Sequence, residues 1–179
     1  AASDVYKRQL YDVLGDSKIR PNQLFALSLS YPVLDPACQE ASQMLETVTK
    51  KLLNHYGLKT LARGEENYID VYEGDSFRRD MSYHQGPTWP WLLGLYYNAI
   101  KQVKEAQKDK EEKKKWKMQY ENFVQDVKKT YLKEFLEGKT VGGISELYDS
   151  KKPYEAKGAF QQAWSVAEVF RIILENEVS

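Results

Sequence analysis

The sequence KKWKMQYENFVQDVKKTYLKEFL, residues 114–136, sets Trp116, Tyr120, Phe123, Val124, Val127, Tyr131, Leu132 and Phe135 on one stripe of helical period. Lysines and glutamates fill the opposite face and Gly138 follows as a stop, which specifies a long amphipathic helix. The charge run 101–117 leads into it. There Glu105, Asp109, Glu111 and Glu112 alternate with the lysines, the pattern of a solvated helix face or connector rather than a nucleic-acid patch.

The same period recurs on either side. Residues 160–175 carry Ala163, Trp164, Ala167, Phe170, Ile173 and Leu174, while Trp91, Leu92, Leu95, Tyr96, Ala99, Ile100 and Val103 mark a helix that starts near Trp89 and Pro90. Asp35 before Pro36 reads as an N-cap followed by proline at the first helical position, and Ala37, Ala41, Met44, Leu45, Val48, Leu52 and Leu53 continue that helix towards Gly57. A shorter helix follows Pro21 over residues 22–29 and stops at Tyr31 and Pro32. Two stretches, 58–88 and 138–158, lack regular pattern, and ordered segments of that length are commonly functional. Short extended pieces such as 68–72 fit within them, but no alternating run is long enough for a sheet. The expected class is all-α, built from antiparallel helical hairpins with the long loops at one end.

Composition bounds the function. The 179 residues suit one domain, and 26 basic against 26 acidic residues leave no net charge to draw the chain to nucleic acid or membrane. Cys38 is the single cysteine, so an internal disulfide is excluded, and no apolar run approaches the roughly 20 residues of a membrane span. Residues 1–14 carry Asp4, Lys7, Arg8 and Asp12 and do not read as a secretory signal, so a reducing, cytoplasmic setting is expected.

Chemistry concentrates in the two irregular stretches. In YHQGPTWPWLLG, residues 83–94, the rings of Tyr83, Trp89 and Trp91 interleave with His84 and Gln85. Rigid aromatic faces pack against the apolar faces of a sugar while amide, imidazole and indole N–H groups bond its hydroxyls. Cleaving a glycosidic bond needs two carboxyl groups, one protonated and one ionised. Glu146, in VGGISELYD (residues 141–149), is the leading candidate; acids in YEGDSFRRD (residues 72–80) are explained by salt bridges with Arg78 and Arg79. His55 and His84 are the only histidines and no calcium-type array of aspartates occurs, so neither a metal nor a cofactor is expected. No G-x-S-x-G elbow or phosphate loop appears.

Six segments in order, RPNQLFALSLSYPVL (20–34), YGLKTL (56–61), YEGD with RRD (72–80), YHQGPTWPWLLG (83–94), GGISELYD (142–149) and QAWSVAEVFR (162–171), resemble the amylo-α-1,6-glucosidase domain of glycogen debranching enzymes. The resemblance covers residues 12–174. It implies the C-terminal portion of an (α/α)6 toroid with the substrate among loops at one rim, and removal of the single glucose at an α-1,6 branch point by inverting hydrolysis. Glu146 matches the family's general base in its G-x-I-S-E segment. Tyr83, His84, Gln85, Trp89, Trp91, Arg20, Asn22, Gln23, Gln162 and Trp164 fall in segments that line or support the glucose pocket.

Pro87–Thr88 and Ala159–Phe160 depart from the family's usual residues, and residues 1–9 match no part of it. The family's domain is longer than this chain and its general acid, an aspartate, belongs to an earlier segment. The resemblance therefore implies one incomplete domain whose partners are an α-glucan, the upstream part of the same polypeptide and, through its cut edge, a second copy. Alternative readings are another α/α-toroid glycosidase or phosphorylase of the glucoamylase or trehalase type, or a non-catalytic helical carbohydrate-binding module.

Overall fold

Aromatic and aliphatic residues on most of its circumference make the helix over residues 92–106 the hub of the molecule. In this computed structural model, which describes residues 3–4, 9–138 and 142–177, the chain begins with a two-stranded ribbon of β1 (Ser3–Asp4) and β2 (Gln9–Leu10). A 3₁₀ turn (Pro21–Leu24) then leads into α1 (Phe25–Ser28), α2 (Gln39–Lys51), β3 (Leu53–Asn54), β4 (Gly57–Lys59), α3 (Ser76–Ser82) and β5 (Thr88–Trp89). The hub helix α4 (Leu92–Ala106), α5 (Lys110–Glu137), β6 (Leu147–Tyr148), β7 (Ala156–Lys157) and α6 (Ala163–Glu175) complete it. Of residues 1–9, residues 1–2 and 5–8 lie outside the described residues.

Helix α4 buries Leu92, Leu93, Tyr96, Tyr97, Ala99, Ile100 and Val103 and packs against α1, α2, α5 and α6. Each large apolar side chain so buried contributes about 1.5–3 kcal/mol. Three residues, 107–109, reverse the chain into α5, where the Asp109 carboxylate accepts from the Glu111 and Glu112 amides at 3.0 Å. That cap splits the charge run between two helices. The Gly138 amide donates to the Glu134 carbonyl at 2.8 Å, so the long helix stops where its glycine predicts.

Two helical expectations need correction. Helix α2 starts at Gln39, because Asp35 spends its carboxylate on the Ala37 amide (2.9 Å) and leaves Cys38 to cap, its Sγ accepting from Ala41 at 3.4 Å. Helix α6 starts at Ala163 rather than residue 160 and turns Ser165, Val169 and Ile172 inward. Most of the stripe expected to be buried there instead faces out, with Trp164 45%, Phe170 37% and Leu174 59% exposed. On α5, Leu132 likewise stands open at 62%. Leu132 and Phe170 border a groove of about 600 Å³ between α5 and α6, lined also by Phe135, Ile144 and Val169.

The all-α expectation is also corrected. A five-stranded antiparallel sheet of order β3-β4-β5-β6-β7 gathers where α2 and α5 end and α4 and α6 begin. Its register pairs Leu58 with Trp89 and Thr88 with Tyr148, and β4 passes so close to β5 that a Cβ on Gly57 would lie 2.4 Å from the Trp89 carbonyl oxygen. The stretches 58–88 and 142–158 consequently share one rim, as the hairpin reading requires. Further bonds knit them: the Ser150 amide donates to the Asp70 carbonyl and the Tyr72 amide to Asp149 Oδ1, both at 2.8 Å. Residues 68–72 form no strand, and α3 is a helix inside a stretch that reads as irregular.

Candidate functional site

The rim carries a cavity of about 250 Å³ at the mouth of α4. Strand β5 delivers Trp89 and the α4 N-terminus delivers Trp91, while the first turn of α6 brings Trp164. Arg20, Asn22, His84, Trp89, Trp91 and Trp164, all singled out from sequence, meet on its wall. Trp91 and Trp164 stack with centroids 5.3 Å apart, and His84 stacks on Trp89 at 5.3 Å. Pro21, Thr60 and Leu92 complete the lining; periodicity assigns Leu92 to the core, and Thr60 carried no signal beyond the family segment that contains it.

Arg20 fixes this wall. Its guanidinium donates to the Thr60 carbonyl (3.1 Å), the His84 carbonyl (2.8 Å) and Gln85 Oε1 (2.8 Å), tying the loop before the 3₁₀ turn to the aromatic segment. Gln85 thus acts on the cavity through Arg20. Gln23 is buried and divides its amide between the Arg20 carbonyl (2.7 Å) and the Leu10 amide (3.3 Å), and Gln162 caps α6 through the Ala163 amide (3.0 Å). The structure therefore sets Gln23, Gln85 and Gln162 outside the lining. Gln85 finds its partner 65 positions away, whereas Gln162 bonds the adjacent residue.

Tyr83 also stands off the cavity. Its ring packs on His84 and Trp89, with centroids at 4.7 and 4.8 Å, and its hydroxyl donates to Glu146 Oε1 at 2.5 Å. Glu146 is half-buried just before β6, and its Oε2 accepts from the Ala159 amide at 2.9 Å. Among the described residues no lysine or arginine pairs with it. Burial and the carboxylate it serves push the Tyr83 hydroxyl well above the usual phenol range, so it stays a donor throughout neutral pH. Partial burial, then the Arg20 charge, lowers the His84 pKa, against a smaller opposing pull from Glu146, leaving a neutral ring that both donates and accepts.

The remaining acids have structural duties. Asp75 caps α3 through the Arg78 amide at 2.9 Å, and Asp149, 5% exposed, holds the Tyr72 amide and lies 3.8 Å from Lys157. Among the described residues no group of three or more His, Cys, Asp or Glu is placed to hold a metal ion, and no helix is long and apolar enough to cross a membrane. The arrangement offers aromatic faces, a fixed guanidinium and, bonded to Tyr83, a carboxylate with no cationic partner among the described residues.

Comparison with known proteins shows the family. Glycogen debranching enzyme from Saccharomyces cerevisiae is 29% identical over 91 residues, which cover 48% of this chain and 6% of the yeast protein. The family model for amylo-alpha-1,6-glucosidase matches residues 1–171, a span that takes in all six sequence segments and begins at residue 1. The chain belongs to the amylo-α-1,6-glucosidase family.

Proposed function

We propose that this chain supplies the glucose pocket and the general base of an inverting α-1,6-glucosidase acting on a glycogen-like α-glucan in the cytoplasm. The observation that carries the reading is the meeting of Arg20, His84, Trp89, Trp91 and Trp164 on one cavity, with a carboxylate behind it that no cation among the described residues pairs with. At about 250 Å³ the cavity lies below the ~300–1,000 Å³ of pockets for drug-sized ligands, which suits one hexose ring rather than a glucan chain. In the reaction, Glu146 takes a proton from water as the water oxygen bonds to the anomeric carbon. The bond to the branch oxygen breaks with its electron pair, and a carboxylic acid from another segment of the same polypeptide protonates that oxygen. Acid and base are then roughly 6.5–9.5 Å apart, leaving room for the water.

The stacked Trp91 and Trp164 rings form the apolar face of the pocket in this reading. Trp164→Ala removes the more exposed ring and is expected to weaken glucan binding about 5- to 10-fold, the equivalent of one aromatic contact of ~1–1.5 kcal/mol. Isothermal titration with a short branched dextrin measures it. Unchanged affinity would remove Trp164 from the pocket.

The open faces of α5 and α6 fit an incomplete (α/α)6 ring. Apolar surface of more than a few hundred Å² seldom persists on a monomer, so the 179-residue chain alone is expected to self-associate. Light scattering should give a mass above that of the monomer, reduced by Leu132→Glu with Phe170→Glu. A monomer at high concentration would contradict the ring.

A further inference from the structure

Both oxygens of Glu146 are held from outside the cavity, from two separate parts of the rim. The Tyr83 hydroxyl, at the C-terminal end of α3, takes Oε1, and the Ala159 amide, just past β7, takes Oε2. The backbone repeats the second contact, because the Glu146 amide donates to the Ala159 carbonyl at 2.9 Å. Gly158 makes this approach possible. Its φ is +70°, and a Cβ there would lie 2.3 Å from Glu146 Oε2 and 3.0 Å from Glu146 Cβ. The tyrosine ring is itself fixed, packed against His84, Trp89 and Tyr72, while the Trp89 indole N–H donates to the Tyr83 carbonyl at 3.2 Å.

We infer that Tyr83 and Gly158 are positioning residues for Glu146, forming a clamp that aims the carboxylate while leaving the cavity wall to bind the sugar. The inference rests on the general-base reading above and goes beyond it by moving Tyr83 from sugar contact to orientation of the base. A carboxylate has about four lone-pair sites, so one bond to each oxygen leaves a lone pair for water. A bond from a neutral donor to a charged acceptor is among the stronger hydrogen bonds, and small misplacements of a reacting group are expensive in rate.

The test compares steady-state kinetics of the complete polypeptide with those of its Tyr83→Phe, Gly158→Ala, Tyr72→Phe and Glu146→Gln variants, on a dextrin carrying single α-1,6-linked glucose. Tyr83→Phe keeps the ring and deletes only the donor, so kcat should fall about 10- to 100-fold with KM within about twofold of the parent. Gly158→Ala should fall in the same way, and Tyr72→Phe, which removes a neighbouring hydroxyl but keeps the ring packed on Tyr83, should match the parent. Equal melting temperatures for Tyr83→Phe and the parent separate the effect from lost folding. If Tyr83→Phe raises KM at constant kcat, or behaves as the parent while Glu146→Gln is inactive, the clamp is wrong and the base assignment stands. Near-parental turnover in Glu146→Gln overturns the base assignment and the clamp with it.

Discussion

Glutamine at position 146 in the complete polypeptide is expected to lower glucosidase turnover by about 10² to 10⁴-fold, the usual contribution of a positioned acid or base, while glucan affinity stays within a few fold. The amide preserves size, and its carbonyl oxygen can still accept from the Ala159 amide while its NH2 donates to the Tyr83 oxygen, but it has no basic oxygen to take the proton of water. Binding is spared because the cavity wall is made by other residues: Arg20, Asn22, His84 and three tryptophans. Release of glucose from a branched dextrin, measured beside equilibrium binding of the same dextrin, reads both quantities. Turnover near the parental rate would exclude Glu146 from the chemistry, and loss of binding in step with turnover would make it a sugar contact. The 179-residue chain alone should release negligible glucose, since the account places the acid elsewhere.

Gly86→Ala carries the largest expected loss of stability. Gly86 lies between the residues of the aromatic segment at φ +148°, and a Cβ there would stand 2.0 Å from the Ile69 carbonyl oxygen and 2.9 Å from the Tyr68 ring. Its amide donates to Thr60 Oγ1 at 2.9 Å and its carbonyl accepts from Ser150 Oγ at 2.6 Å, so it cannot retreat without releasing both loops of the rim. Backbone strain and overpacking together should cost about 3–5 kcal/mol. Gly64→Ala is the control, because Gly64 also has a positive φ, +96°, but nothing lies within 4 Å of its Cβ position; about 1–2 kcal/mol is expected there. Thermal or denaturant unfolding compares them. A Gly86→Ala protein no less stable than Gly64→Ala would show that the two loops are not bound together at this point.

Helices were legible where one side of a long segment is apolar and the other charged. Helix α5 meets that condition, and so its extent, its stop at Gly138 and its inward residues from Trp116 to Tyr131 agree with the periodicity. Helix α6 does not. Its polar residues lie partly on the packed side, where Arg171 donates to Asn98 and the Gly94 carbonyl and Glu175 accepts from the Tyr97 hydroxyl, so the apolar stripe did not mark the inward face and Trp164 and Phe170 are left open. The sheet escaped notice for a different reason. Its strands are two or three residues long, too short for an alternating pattern, and pairings such as Thr88 with Tyr148 depend on loops distant in sequence.

The site divides along the same line. Rings have few places to go in a loop rich in glycine and proline, so residue types pointed to His84, Trp89 and Trp91, while Arg20 and Trp164 came only from the family resemblance. Amides are versatile. Gln23, Gln85 and Gln162 found partners in backbone groups and in Arg20, and nothing local distinguishes such uses from sugar binding. Tyr83 shows the converse, since it sits in the aromatic segment while its hydroxyl turns to Glu146, 63 positions away.

The central claim is that Glu146 activates water instead of attacking the sugar, and the anomeric form of the first glucose released tests it most directly. Proton NMR of the complete polypeptide acting on a dextrin with single α-1,6-linked glucose, recorded faster than mutarotation, should show β-glucose appearing first because water enters opposite the departing oxygen. α-Glucose appearing first would require a covalent intermediate or a different geometry, and would contradict the account.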